Sequence, residues 1–159
     1  NYSLAQLWGY GNPATALASA RRLETRAGGF CITAEPATFS SIGAVRVRPC
    51  STSLAQLWRF AASQRLRGPG GKCLSIQDGD AATNGKDIVL RPCDLLADTV
   101  PDTDKWLPSD GSPANPVVSN RAGKCLELRG NDNANGTIVQ SSDCTDQRWL
   151  AKPAFPNPP

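Results

Sequence analysis

The sequence predicts an all-β domain built from three copies of one unit, and three observations carry the prediction. Six cysteines stand at 31, 50, 73, 93, 125 and 144, so successive pairs are 19, 20 and 19 positions apart. Each pair is followed by a tryptophan: Trp58, Trp106 and Trp149. The stretches between them are short and broken by turn residues, with 14 Gly and 13 Pro in 159 residues and no long helical periodicity. That profile favours strands and turns over a helical bundle.

Aligned on their cysteines, the three segments have the same order of parts. A strand start is followed by a glycine turn, "RAGG", "GPGG" or "RAG", that leads into the first cysteine. An alternating stretch such as Cys73-Leu74-Ser75-Ile76 then reads as a half-buried strand. Polar turns follow, "TNGK" in the second unit and "ANGT" in the third, where Asn-Gly suits the positive φ of a tight hairpin. A second strand, "AVRVRPC", "DIVLRPC" or "TIVQSSDC", brings in the second cysteine.

Two cysteines on neighbouring strands of one hairpin lie within disulfide reach, which pairs Cys31 with Cys50, Cys73 with Cys93 and Cys125 with Cys144. Six cysteines allow fifteen connectivities, and the repeat selects this one. Each bridge closes a loop of about 20 residues and contributes on the order of 3 kcal/mol in the chain-entropy account. Disulfides imply an oxidising compartment, hence a secreted protein. A unit of about 40 residues cannot bury its own apolar face, whereas three around a pseudo-threefold axis close a barrel over a shared core. The expected architecture is an all-β trefoil.

Composition also excludes function classes. There is no histidine and no CxxC, which removes histidine-dependent catalysis and most zinc sites. No cofactor or metal is expected. No stretch has the apolar length of a membrane span, and the N-terminus lacks a basic-then-apolar leader pattern, so a secreted protein is expected in mature form without membrane insertion. Residues 1–72 carry nine Lys/Arg against two acidic residues, and residues 73–159 carry eight against twelve. The arginines of the basic half are scattered, with few aromatics between them for base stacking, which argues against a nucleic-acid partner. "GPGGK" at 68–72 begins like a phosphate loop, but Cys73 follows where Ser or Thr is required, so it reads as a turn.

Three tandem units, each with paired cysteines and a closing Gln-x-Trp, resemble the ricin B-chain type lectin domain. The closing motifs are Gln56-Leu57-Trp58, Gln147-Arg148-Trp149 and a degenerate Asp104-Lys105-Trp106. The resemblance covers about residues 20–150, implies a non-enzymatic carbohydrate-binding module, and casts Gln56, Trp58, Trp106, Gln147 and Trp149 as structural. In that family a sugar-contacting acid lies two residues after the first cysteine. An amide and an aromatic lie four and two before the second, and an Asn often precedes the Gln-x-Trp.

Carried onto the third unit, these positions are Glu127, Gln140, Ser142 and Asp146. Glu stands where Asp is usual, and Ser142 replaces the ring. The second unit gives Ser75, Val89, Arg91 and Thr103, keeping Asn84 of the turn, and the first gives Thr33, Arg46, Arg48 and Ala55. The expected site is therefore one pocket on the third unit. It is centred on Glu127, Gln140 and Asp146, with Asn131, Asp132, Asn133 and Asn135 of the adjacent loop as contributors. The expected partners are glycans or glycoproteins of a galactose or related type. Two readings compete: a trefoil whose sugar sites have decayed into a receptor- or protein-binding subunit of a multi-component toxin, and the binding module of a secreted glycosidase. Asn1-Tyr2-Ser3 and Asn135-Gly136-Thr137 are glycosylation sequons.

The hexapeptide SLAQLW occurs twice, at 3–8 and 53–58. The second copy ends the first unit, while the first places a fourth tryptophan, Trp8, ahead of the opening strand near Arg21–Thr25. The expected division is an N-terminal extension at 1–19, the trefoil at 20–151 and a Pro-rich tail at 152–159. Trp8 is expected against the domain surface, and "ALASARRLE" at 16–24 offers a weak helical turn.

Overall fold

A computed structural model describes residues 20–35, 45–60, 64–93, 102–107, 119–144 and 149–153. Trp8, Asp146, Gln147 and the Pro-rich end after residue 153 lie outside the described residues. The first unit contributes β1 (Arg21–Thr25), β2 (Phe30–Ala34), β3 (Val45–Pro49) and β4 (Arg59–Phe60). The second contributes β5 (Leu66–Arg67), β6 (Cys73–Ile76), β7 (Lys86–Arg91) and β8 (Trp106–Leu107). The third contributes β9 (Ser119–Asn120), β10 (Cys125–Leu128), β11 (Val139–Ser142) and β12 (Trp149–Pro153). Among the described residues no helix is long and apolar enough to cross a membrane.

The pairing is cyclic. The fourth strand of each unit runs antiparallel to the first strand of the next: β4 with β5, β8 with β9, and β12 with β1. This last pairing joins the two ends of the domain, and through Arg22↔Lys152 and Arg21↔Pro153 it takes in two residues that composition assigns to the tail. The second and third strands of each unit form a hairpin: β2 with β3, β6 with β7, and β10 with β11. The three-unit trefoil expected from the cysteine spacing is thus present. The segment 21–24 is strand rather than helical turn, because β1 is held on both sides by β12 and β2, and these pairings outweigh a weak local propensity.

Side-chain alternation directs one face of each hairpin to a common core. Ile32 opposes Val47, Leu74 opposes Leu90, and Leu126 opposes Ser141. Leu23, Ile32, Val47, Leu66, Leu74, Ile76, Ile88, Leu126 and Val139 are fully buried there, with Trp58, Trp106 and Trp149 among them. Each indole also meets its polar requirement in the same way. Nε1 donates to the carbonyl one residue after its own unit's first cysteine: Trp58 to Ile32 at 3.0 Å, Trp106 to Leu74 at 3.1 Å, Trp149 to Leu126 at 3.0 Å. A buried tryptophan removes about 200 Å² from water, roughly 5 kcal/mol of apolar transfer before entropy is counted.

Disulfides join Cys31 to Cys50, Cys73 to Cys93 and Cys125 to Cys144. The hairpin glycines Gly85 and Gly136 adopt φ of 86° and 90°, and each donates its N–H to the neighbouring unit, Gly85 to Ser141 O and Gly136 to Val47 O, both at 2.8 Å. Segment 68–72 is a turn whose Gly68 lies against the Trp58 ring so closely that a Cβ there would overlap it.

Candidate functional site

Two residues beyond the first cysteine of each unit the side chain is buried and polar: Thr33, Ser75 and Glu127, at 7%, 0% and 5% exposure. Each sits directly across its hairpin from the residue four before the second cysteine, so that Thr33 faces Arg46, Ser75 faces Val89 and Glu127 faces Gln140. Directly opposed residues share one face of a sheet. Here that face is the outer one, opposite the face of Leu126 and Leu128.

The first two units close this position internally. Gln56, only 2% exposed, donates Nε2 to Thr33 Oγ1 at 3.1 Å and to Pro49 O at 2.9 Å, while its Oε1 accepts from Ser51 N at 2.8 Å. In the second unit Ser75 Oγ donates to the carboxylate of Asp104, the residue that replaces glutamine in the degenerate motif. Both partners are short hydroxyl residues that match the reach of the closing motif.

The third unit carries a longer, acidic side chain at the same place. Next to it, Arg129 donates Nε to Gln140 Oε1 at 3.0 Å, which leaves the amide NH₂ of Gln140 as a donor on the Glu127 face. Arg129 also donates Nη2 to Gly85 O at 2.9 Å and to Asp87 Oδ1 at 2.5 Å, fixing the second-unit hairpin against the rim. A carboxylate and an amide on one face are the acceptor and donor that vicinal sugar hydroxyls require. No ring stands at Ser142.

The loop asparagines do not converge on this pair. Asn131 is exposed with left-handed backbone, φ 54°. Asn133 turns toward the first unit, its Nδ2 donating to Gly28 O at 3.4 Å, and its buried Oδ1 has no hydrogen-bond partner among the described residues. Asn135, exposed, accepts from Arg48 Nη1 at 3.4 Å, and Arg48 itself is paired with Glu35 at 2.7 Å. Asn135 lies instead on a cavity of about 350 Å³ between this loop and β3, together with Arg46, Arg129, Asp132, Thr137 and Ile138. Arg129 and Thr137 carry no motif signal. The part of Arg46 in this wall depends on a contact 90 residues away in sequence, Nη1 to Gly136 O at 2.9 Å.

Beyond Ser142, Asp143 is held below the ordinary carboxylate range by hydrogen bonds from Lys124 and Asn84 and by the charge of Lys124. Lys124 Nζ lies 2.7 Å from its Oδ1 and Asn84 Nδ2 2.9 Å from its Oδ2. Asn84, of the second-unit turn, thus serves an inter-unit clasp.

The ricin-type beta-trefoil lectin domain model matches residues 19–149. A non-toxic homologue of type II RIPs from Momordica charantia (bitter gourd), solved in complex with α-methyl-D-galactoside, is 23% identical with a TM-score of 0.65; the match covers 84% of this chain and 47% of that one. The chain therefore spans about half the length of the bitter gourd protein. The designed threefold-symmetric protein ThreeFoil is 19% identical with a TM-score of 0.68, covering 84% of this chain and 98% of that one. The C-half of the earthworm R-type lectin, in complex with GalNAc, is 14% identical with a TM-score of 0.61 over 84% of this chain and 98% of that one. No curated protein sequence matches. With the family model spanning all three units and the cyclic strand pairing in place, the chain belongs to the ricin-type β-trefoil lectin domain family.

Proposed function

We propose that the chain binds a galactose-type or related glycan, without catalysis, with its best site on the third unit formed by Glu127, Gln140 and Asp146. One observation carries the reading: Glu127, a buried carboxylate, faces the amide of Gln140 directly across β10–β11, so that an acceptor and a donor share one face of the hairpin. A buried carboxylate forms stronger hydrogen bonds to hydroxyls than a neutral acceptor does. The galactoside and GalNAc bound by the bitter gourd and earthworm proteins support the sugar class. Three disulfides fit an extracellular setting.

Glycan-array screening of the intact protein tests this. A galactose-terminated signal is expected, and Glu127→Gln should reduce it at least about tenfold, the cost of exchanging a charged hydrogen bond for a neutral one. Full binding by a folded Glu127→Gln protein would remove the third-unit site. A second reading, a protein-binding trefoil, is favoured by the closure of two positions out of three and by the missing ring at Ser142. It wins if no glycan binds and a defined partner chain co-purifies.

A further inference from the structure

The cavity between the third-unit loop and β3 adjoins the Glu127–Gln140 pair through Arg129, which bonds Gln140 and also lines the cavity. It is an open surface depression of about 350 Å³, large enough for one small ligand on the surface. What distinguishes it is a carboxylate that the repeat elsewhere keeps occupied. In the second unit, seven residues after the first cysteine, Asp80 accepts from the backbone N–H of Ala82 at 2.9 Å and of Thr83 at 3.1 Å, and pairs with Lys86 at 3.6 Å. That acid is consumed by its own turn.

Asp132 is its counterpart in the third unit, with nearly the same backbone: φ −97° and ψ 108°, against −92° and 93° for Asp80. Two sequence differences release it. The loop from the acid to the hairpin glycine is one residue shorter than in the second unit, and Thr137 follows Gly136 where Lys86 follows Gly85. Asp132 loses both the turn amides and the cation, and has no hydrogen-bond or ion-pair partner among the described residues. In the same wall Arg46 gives one N–H to Gly136 O and has no carboxylate partner among the described residues.

The wall thus offers a solvent-exposed acceptor in Asp132 with no protein partner among the described residues, spare donors on Arg46, an amide on Asn135, a hydroxyl on Thr137 and the apolar flank of Ile138. A net anion would face Asp132 and a net cation would face Arg46. The matching ligand is uncharged and rich in hydroxyls. We propose that this cavity is a second saccharide subsite, which takes one neutral sugar residue between Asp132 of the third unit and Arg46 of the first. The inference rests on the chain being a glycan binder, but not on Glu127.

The test is an amide ¹H–¹⁵N titration of the full chain with methyl α-D-galactoside, N-acetylgalactosamine and maltose, and with galacturonate as the charged comparison. The amides of Arg46, Asp132, Thr137 and Ile138 should shift with a neutral sugar. Asp132→Asn and, separately, Arg46→Gln should weaken that response about tenfold, the loss of one charge-assisted hydrogen bond. Glu127→Gln should leave it in place. Shifts confined to Glu127 and Gln140 overturn the second subsite and leave the proposed function standing, whereas shifts confined to the cavity support the subsite and dispose of the Glu127 site. A response to galacturonate alone overturns the neutral assignment, and no response to any probe overturns both readings.

Discussion

Replacing Ser141 by alanine should stabilise the protein, although the substitution deletes a polar group from the third unit that carries the candidate site. Ser141 is fully buried and its hydroxyl has no hydrogen-bond partner among the described residues. It faces Leu126 inside the core, where the matching positions of the other units pair Val47 with Ile32 and Leu90 with Leu74. Burying an unpaired hydroxyl costs about 1–3 kcal/mol. Alanine removes that cost and leaves a void of only one oxygen, so a net gain of about 1 kcal/mol is expected, or about 3 °C in Tm for a domain of this size. Valine, which restores the first unit's residue, should add to this unless the smaller space forces it off rotamer. The reverse change, Val47→Ser, should cost about 3 kcal/mol from lost methyl groups and the new orphan hydroxyl. The assay is urea unfolding followed by tryptophan fluorescence with disulfides intact, where the midpoint should rise at constant slope. The backbone bond from Gly85 N to Ser141 O is retained by both variants, so inter-unit pairing is not perturbed. A loss of about 1 kcal/mol or more in Ser141→Ala would refute the reasoning, because it would mean the hydroxyl is satisfied in solution.

Three further outcomes are expected. Gly68→Ala drives a methyl into the Trp58 ring and should destabilise by about 1–3 kcal/mol, read as a lower urea midpoint with altered tryptophan emission. Gln56→Ala removes the partners of Ser51 N and Pro49 O and the N–H donated to the Thr33 hydroxyl, which keeps its own bond to Cys31 O, a loss of about 1–2 kcal/mol that glutamate would not fully restore, since it has no NH₂ to donate. The Asp143 clasp has a folded pKa below its unfolded value of about 3.9. Its stabilisation is therefore complete above that value and is lost as pH falls through the lower folded one. Asp143→Asn should flatten the acid limb of a stability–pH profile by lowering the neutral plateau toward the acid value, and only slightly, as expected of a solvent-exposed carboxylate in a salt-screened pair.

Much of the fold was legible because it is written three times. One cysteine pair with its tryptophan is weak evidence, but three at equal spacing fixed the units, the disulfides and the hairpins together. The helical turn at 16–24 failed over residues 21–24 for the opposite reason. Propensity is a property of the segment, whereas β1 exists because β12, more than 120 residues away, supplies its partner. The candidate site divides along the same line. Glu127 and Gln140 meet through a hairpin whose register the cysteines set, so their opposition follows from local sequence. The cavity at Arg46 and Asp132 does not, since its two walls come from different units.

That division bears on how a threefold repeat acquires function. Within a hairpin, each unit can change its buried polar residue independently, and the sequence has done so: Thr33 and Ser75 are tied to their own closing motifs, while Glu127 is acidic. Between units, one change has consequences in a neighbour. Shortening the third-unit loop by one residue and placing Thr137 where a lysine stands in the second removes the contacts that hold Asp80, yet the exposed acid acquires meaning only because Arg46 of the first unit reaches Gly136 across the junction. Restoring the cation should therefore close the cavity chemically without touching either hairpin. Thr137→Lys is expected to pair with Asp132 as Lys86 does with Asp80 and to suppress the cavity amide shifts, while the response of Glu127 and Gln140 stays unchanged. Equal suppression of both sets would show that the two sites are one, and that the junction is an extension of the hairpin pocket.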